Sequence, residues 1–321
     1  VKPQNELVDI TDVPIYQPYA DELVSKGIKL RHAVKWFNSV SAEVTRSQLD
    51  EISDLNFVTQ IELVETFIRH REDIESKPSG EILYDNNNNI LADTFNYGNS
   101  FTQINQIKVN LVHNQGIFGQ GVMIASFDNG WRNQTHEVFT TLPMTVVSQY
   151  DFQLHRPGAN NVGSSTTHGT QTLSNIGGYM PGKLISPSFK SSFLVARTEV
   201  DSFERPIEMD NWVAATQWAD SLGADVISSS LGYLTFDPGY PDWTWQDMNG
   251  RTLVVTNGAD LAVNKGITVC NSAGNGGSSS HNTLGAPADG DSVISVGAVT
   301  STGSRASFSS VGPTTDTPPR V

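Results

Sequence analysis

GVMIASFD, residues 121–128, is apolar without alternation and ends on a carboxylate. A strand with one wet face alternates polar and apolar residues; a strand covered on both faces does not. The run therefore reads as a buried strand of a parallel sheet. Four similar runs follow: SFLVART (192–198), ADVISSSL (224–231), GITVCNSAGN (266–275) and SVISVGAV (292–299). Helical patterns lie between them, including DNWVAATQWADSLG (210–223) and LVVTNGADLAVNKG (253–266). Apolar strands alternating with amphipathic helices predict an α/β fold, a mostly parallel sheet with helices on both faces. In such sheets functional residues sit just beyond the carboxyl ends of strands, where Asp128 and Asn275 fall.

Upstream, SKPSG (76–80) and DNNNN (85–89) are polar and turn-rich, which marks 76–100 as a linker. It divides a small unit, 1–75, from a large one, 101–321. In the small unit YADELVSKG (19–27) reads as a helix stopped by Gly27. IKLRHAVKWFNSVSAEV (28–44) alternates in two runs about Asn38-Ser39, a hairpin pattern. TRSQLDEISDL (45–55) opens with Thr45 and Gln48 at capping-box spacing, and NFVTQIELV (56–64) reads as a strand. An α-β-β-α-β order is what remains of a small α+β sandwich whose first strand lies before residue 1.

Composition narrows the function classes. The chain has 321 residues, 20 basic and 34 acidic, for a net charge of −14 spread over both halves. That balance argues against nucleic acid as a partner, and no apolar run approaches membrane-spanning length. One cysteine, Cys270, rules out an intrachain disulfide framework and reads as a small apolar residue within a strand. The chain opens on Val1, which implies a processed or excised segment.

SSTTHGTQTLSNIGG (164–178) places His168 where a Ser/Thr-rich loop becomes helical, with Gly169 beside it to admit close approach of another chain. A serine hydroxyl is a poor nucleophile until a base takes its proton, which an imidazole on a rigid mount can do. The base needs a carboxylate on its other nitrogen to hold one tautomer, and Asp128 is the candidate. Asn275, in a Gly-rich turn, can offer its amide to a developing oxyanion. Taken singly, each has a bland reading as a cap-region histidine, a salt-bridging aspartate or a turn residue.

Together with SSSLGY, NSAGNGG, GAPADGDSVISVGAV and SFSSVGP, these stretches resemble the subtilisin-like serine peptidases over roughly 100–321. Residues 1–75 resemble the inhibitory propeptide of that family, and the style of 210–233 resembles secreted subtilases of Bacteroidetes-type bacteria. The resemblance implies a secreted serine endopeptidase in pro-form, with Asp128, His168 and Asn275 in the roles above. It implies that Ser230, Leu231 and Gly232 pair with the substrate backbone and that Ala273 and Gly274 wall the first specificity pocket. Ala286-Pro287 matches a family turn whose proline is cis.

The departures carry information too. Asn129 stands where the family usually has Thr or Ser, and Gln171 replaces a second histidine. Glu199, Asp201, Glu204, Glu208 and Asp210 crowd the other expected substrate edge, as a solvated face or as a preference for basic substrates. No cofactor is needed for the chemistry; structural calcium is not legible, since Glu137 alone makes no calcium site. The family's Gly-Thr-Ser nucleophile motif is absent from 1–321. The expectation is that the serine lies beyond residue 321 or on a separate chain, and that the segment alone is inactive. The competing reading is a pseudopeptidase that binds peptides or a protein partner without cleaving them.

Overall fold

In a computed structural model, residues 9–62, 64, 94–159, 167–200 and 202–320 are described. The expected linker stretches 76–80 and 85–89 fall outside them, as does Asp201.

The small unit runs α1 (Gln17–Ser25), β1 (Lys29–Val34), β2 (Ser39–Glu43) and α2 (Arg46–Ser53). Pro18 opens α1, and Gly27, at φ +76°, turns the chain toward β1. The Thr45–Gln48 capping box forms: Gln48 N–H donates to Thr45 Oγ1 at 3.3 Å, and Thr45 N–H to Gln48 Oε1 at 2.8 Å. Asn38, left-handed at φ 46°, closes the antiparallel β1–β2 hairpin. Before it, residues 35–37 coil into a single 3₁₀ turn, so β1 ends sooner than the alternation predicts. The expected strand over 56–64 does not appear among its described residues, 56–62 and 64. Phe57 stacks on Tyr19 with ring centroids 4.2 Å apart and fills the small core. Residues 59–62 are exposed with no neighbouring strand among the described residues. Without a ladder partner, β-propensity alone does not hold a strand.

The large unit begins with two short helices, α3 (Phe101–Gln106) and α4 (Val109–His113), then β3 (Met123–Asp128). It continues with α5 (Glu137–Thr140), β4 (Thr145–Asp151), β5 (Arg156–Pro157) and α6 (His168–Gly177). A two-residue ribbon, β6 (Tyr179–Met180) with β7 (Leu184–Ile185), precedes β8 (Ser192–Arg197) and α7 (Ile207–Ser221). The last elements are β9 (Val226–Ser229), α8 (Val254–Asn264), β10 (Thr268–Ser272) and β11 (Ile294–Val296). The main sheet has the order β11-β10-β9-β3-β8-β4-β5, parallel throughout except for the β4–β5 pair. β4 is a strand that the sequence reading does not pick out. Its register slips between Val146 and Ser148, which breaks the period a pattern search relies on.

Both faces of the central strands are buried. Ala125 and Phe127 of β3, with Leu194 and Ala196 of β8, meet α7 and α8 through Trp212, Val213 and Val255. Ile124, Phe193 and Val195 point the other way, toward Leu173 of α6 and Phe139 of α5. This explains why residues 121–128 show no polar alternation. The small unit docks its hairpin on α7. Val34 and Trp36, each 5% exposed, join the α7–α8 core cluster, and Lys265 reaches Asp12 at 2.7 Å.

Candidate active site

β3 delivers Asp128 to the carboxyl end of the sheet, where its side chain is 4% exposed. Its Oδ1 accepts the N–H of Asn129 at 2.7 Å and lies 2.7 Å from His168 Nδ1; its Oδ2 accepts Thr172 Oγ1 at 3.0 Å. A carboxylate only accepts, so the shared proton sits on Nδ1 and Nε2 is left as the basic nitrogen. Thr172 is one turn along α6 from His168 and shares its face. No sequence signal marked Thr172 beyond that i,i+4 spacing.

His168 is the first residue of α6, with 43% of its side chain exposed. The helix start has no side-chain cap of its own. Asn129, at the end of β3, fills that place by accepting the Gly169 N–H at 2.8 Å. The reason for Gly169 differs from the expectation. A Cβ there would lie 2.2 Å from the Gly130 carbonyl and 3.0 Å from Asp128 Cβ. The close approach that glycine permits is therefore by the end of β3, and it brings the imidazole onto Asp128.

Asn275 follows β10 by three residues and is exposed. Gly274, at φ +109°, turns the chain there; Ser310 holds the turn, donating its N–H to Gly274 O at 3.0 Å and accepting Gly276 N–H at 2.9 Å. β9 alone separates β3 from β10, so the strand that ends on Asp128 and the strand that leads to Asn275 lie about 10 Å apart in the sheet. Asn275 lines an open cavity of about 330 Å³ with Gly274, Asn271, Cys270, Ser228 and Ser230. Leu231 and Gly232 continue from Ser230, and Leu231 O accepts the amide of Asn271, a fully buried residue that no sequence signal marked. Ala273 is buried and donates its N–H to Val296 O. Ala286-Pro287 is cis.

Two expectations need correction. Cys270 lies within β10 as expected but does not pack as a small apolar core residue; it is half-buried on the cavity wall, with its thiol pKa raised by partial desolvation. In the acidic run, Glu199, Glu208 and Asp210 form neither a solvated face nor an open cleft wall. Glu199 and Glu208 are buried, and Asp210 accepts Ser41 Oγ of the docked hairpin at 2.8 Å. Glu137 is an exposed partner of Lys183 at 4.0 Å. Among the described residues, Glu199, Glu204 and Glu208 are grouped closely enough to hold a cation, with oxygens within 4.8 Å. Protein donors already occupy that group. Tyr233 O–H donates to Glu199, and the N–H groups of Val200 and Arg205 donate to Glu208 at 2.9 Å each.

Comparison with known proteins identifies the family. Residues 119–321 match the subtilase family, and residues 2–79 match the peptidase S8 propeptide domain of Bacteroidota. Subtilisin NAT of Bacillus subtilis subsp. natto is 30% identical over 91% of this chain, and the chain spans 64% of that relative's length. Subtilisin of Bacillus pumilus is 34% identical over 65% of the chain and 68% of its own length. The epidermin leader peptide processing serine protease of Staphylococcus aureus shares the fold, with a TM-score of 0.61 at 16% identity over 91% of this chain and 69% of its own. A subtilase sheet carrying an Asp–His pair at its carboxyl edge, behind an S8 propeptide domain, places this chain in the subtilase family of serine peptidases.

Proposed function

We propose that the protein is a secreted serine endopeptidase in pro-form, working through an Asp-His-Ser triad. Asp128 orients His168; His168 Nε2 takes the proton of a serine hydroxyl as it attacks the peptide carbonyl, then passes it to the leaving amine. Asn275 donates its amide to the oxyanion that forms. Ser230–Gly232 adds the substrate to the sheet as an extra strand, and Ala273 and Gly274 leave room for the side chain before the scissile bond. The serine comes from chain following residue 321 or from a separate chain. The N-terminal unit is the intramolecular inhibitor, followed by a processing linker. The partners are peptide or protein substrates, without a cofactor in the chemistry.

The observation that carries this reading is the 2.7 Å contact between His168 Nδ1 and a buried carboxylate that holds two further hydrogen bonds. The cavity beside Asn275 adds to it, because it lies at the carboxyl ends of β9 and β10. No described helix is long and apolar enough to cross a membrane. A serine-directed phosphonate tests the reading: the full-length protein, once its N-terminal unit is removed, should label on one serine after residue 321. The 321-residue segment alone should neither label nor cleave. Cleavage by the purified short segment would show that a different nucleophile is at work.

A further inference from the structure

Beside the Asp128–His168 pair lies a second group of carboxylates that the triad chemistry does not use. Thr198 donates its N–H to Asp128 O at 3.0 Å, so the loop leaving β8 starts at the triad itself. The next residue, Glu199, is buried and accepts the hydroxyl of Tyr233, which is fully buried. Glu208, at the start of α7 and fully buried, reaches back to accept the N–H groups of Val200 and Arg205. Glu204 N–H donates to Asp237 Oδ2 at 3.1 Å and Asp237 N–H to Glu204 O at 3.0 Å, a second tie between the same two segments. Tyr233 is fixed from the other side, its backbone exchanging hydrogen bonds with Ala286 at 2.9 and 3.0 Å.

Tyr233 directly follows Ser230–Gly232, the proposed peptide-binding edge, and Glu199 and Glu204 tie the loop leaving the triad to the segment that continues from that edge. We propose that Glu199, Glu208 and Tyr233 are a buried clamp that fixes the Ser230–Gly232 edge relative to the loop leaving the Asp128–His168 pair, making them positioning residues for peptide binding. The inference rests on the peptidase reading above. Its geometry is that of a strut: one short side-chain link crosses from the loop after β8 to the segment after β9, and a second carboxylate holds that loop in shape. A neutral polar link in a dry site is stiff, whereas like charges held there repel. Burial, reinforced by Glu204, raises the Glu199 carboxyl to about 8, and burial with Glu199 raises Glu208 well above the usual range. Of the groups facing Glu199, Glu204 and Asp128 oppose its ionisation by like charge, while the hydrogen bonds of Tyr233 and Glu208 favour it. As the pH rises through about 8, Glu199 becomes charged beside Glu204 and Asp128, and their repulsion loosens the clamp.

The test uses the full-length enzyme freed of its N-terminal unit, with steady-state kinetics on one peptide substrate from pH 6 to 9.5. Tyr233→Phe should raise KM about tenfold at neutral pH while kcat changes by no more than about twofold, since a buried acceptor loses its donor but the triad is untouched. Wild-type KM should climb with a midpoint near pH 8. Glu199→Gln, which keeps a polar link but cannot ionise, should hold KM near the wild-type neutral value and abolish the climb. His168→Ala in the same background must abolish turnover. If it does and the Tyr233→Phe and Glu199→Gln profiles overlay wild type, the clamp alone is overturned. If His168→Ala cleaves as well as wild type, the peptidase reading fails and the clamp with it.

Discussion

Leu23, Ile28 and Ile52 are the buried residues at the centre of the small unit, whereas the sheet of the large unit carries a closed core on each face. The small unit compensates by lending Val34 and Trp36 to its neighbour's core. It is a domain by sequence pattern but only part of one by burial. A chain of its size buries too little surface to be more than marginally stable alone, so its structure depends on the face it docks against. The large unit works the other way: its catalytic-looking pair is built entirely from its own β3 and α6 and needs nothing from the small unit.

That contrast can be broken at several points. The largest effect should come from within the large unit: His168→Ala in the full-length enzyme should lower turnover by about 10⁴-fold or more, the scale on which triad members fail in subtilisin itself. A residual loss under tenfold would separate His168 from the chemistry. Next is the borrowed core. With residues 1–75 supplied in trans, Trp36→Ala should weaken inhibition of the mature enzyme by about 10²–10³-fold, as expected for deleting a buried aromatic. An inhibition constant moved less than fivefold would mean that the unit folds on its own resources.

Acid tests the docking face itself. His32 Nε2 bonds Asn211 Oδ1 at 2.7 Å, and burial lowers its pKa from 6.5 to about 4. Docking therefore expels a proton and weakens as the pH falls from 6.5 toward 4. Asp210 has the opposite sign. Burial raises it to about 6 against the pull of Ser41 and Arg31, and with the hairpin gone it returns toward the usual carboxylate range. Docking thus takes up a proton at Asp210 and strengthens as the pH falls through 6. Between about 4.5 and 6 the two effects offset, so wild-type Kd by calorimetry should be nearly flat. Asp210→Asn removes one of them, and Kd should then rise by up to about tenfold per pH unit below 6.5. A flat profile in Asp210→Asn would show that His32 is not neutral when docked. The neighbours His155 and Arg31 work in the same direction as burial on His32.

The smallest effect should come from a purely local feature. Thr45→Ala removes the cap of α2, at a cost of about 1 kcal/mol, which should appear as roughly fivefold weaker docking of the isolated unit. Docking unchanged within error would mean that the cap is redundant once the hairpin is seated.

The sequence by itself determined what depends on local backbone geometry. The unalternated run 121–128 gave β3, the 3.6-residue periods gave α7 and α8, and Thr45 with Gln48 gave the start of α2. It also singled out Asp128 and His168, because strand ends and helix starts are where rigid mounts occur. Only the tertiary structure decided what each residue faces. That Asp128 and His168 meet at 2.7 Å across forty positions is a fact of packing, as is the use of Gly169 to admit β3. The acidic run shows the limit most plainly. Its composition is that of a wetted surface, yet Glu199 and Glu208 are buried and bonded, and Asp210 lies under the docked hairpin. The lack of a strand in the described residues of 56–64 has the same origin. Periodicity is written into neighbouring residues, but burial, ladder partners and the charge of a buried acid are set by chain segments far away in sequence.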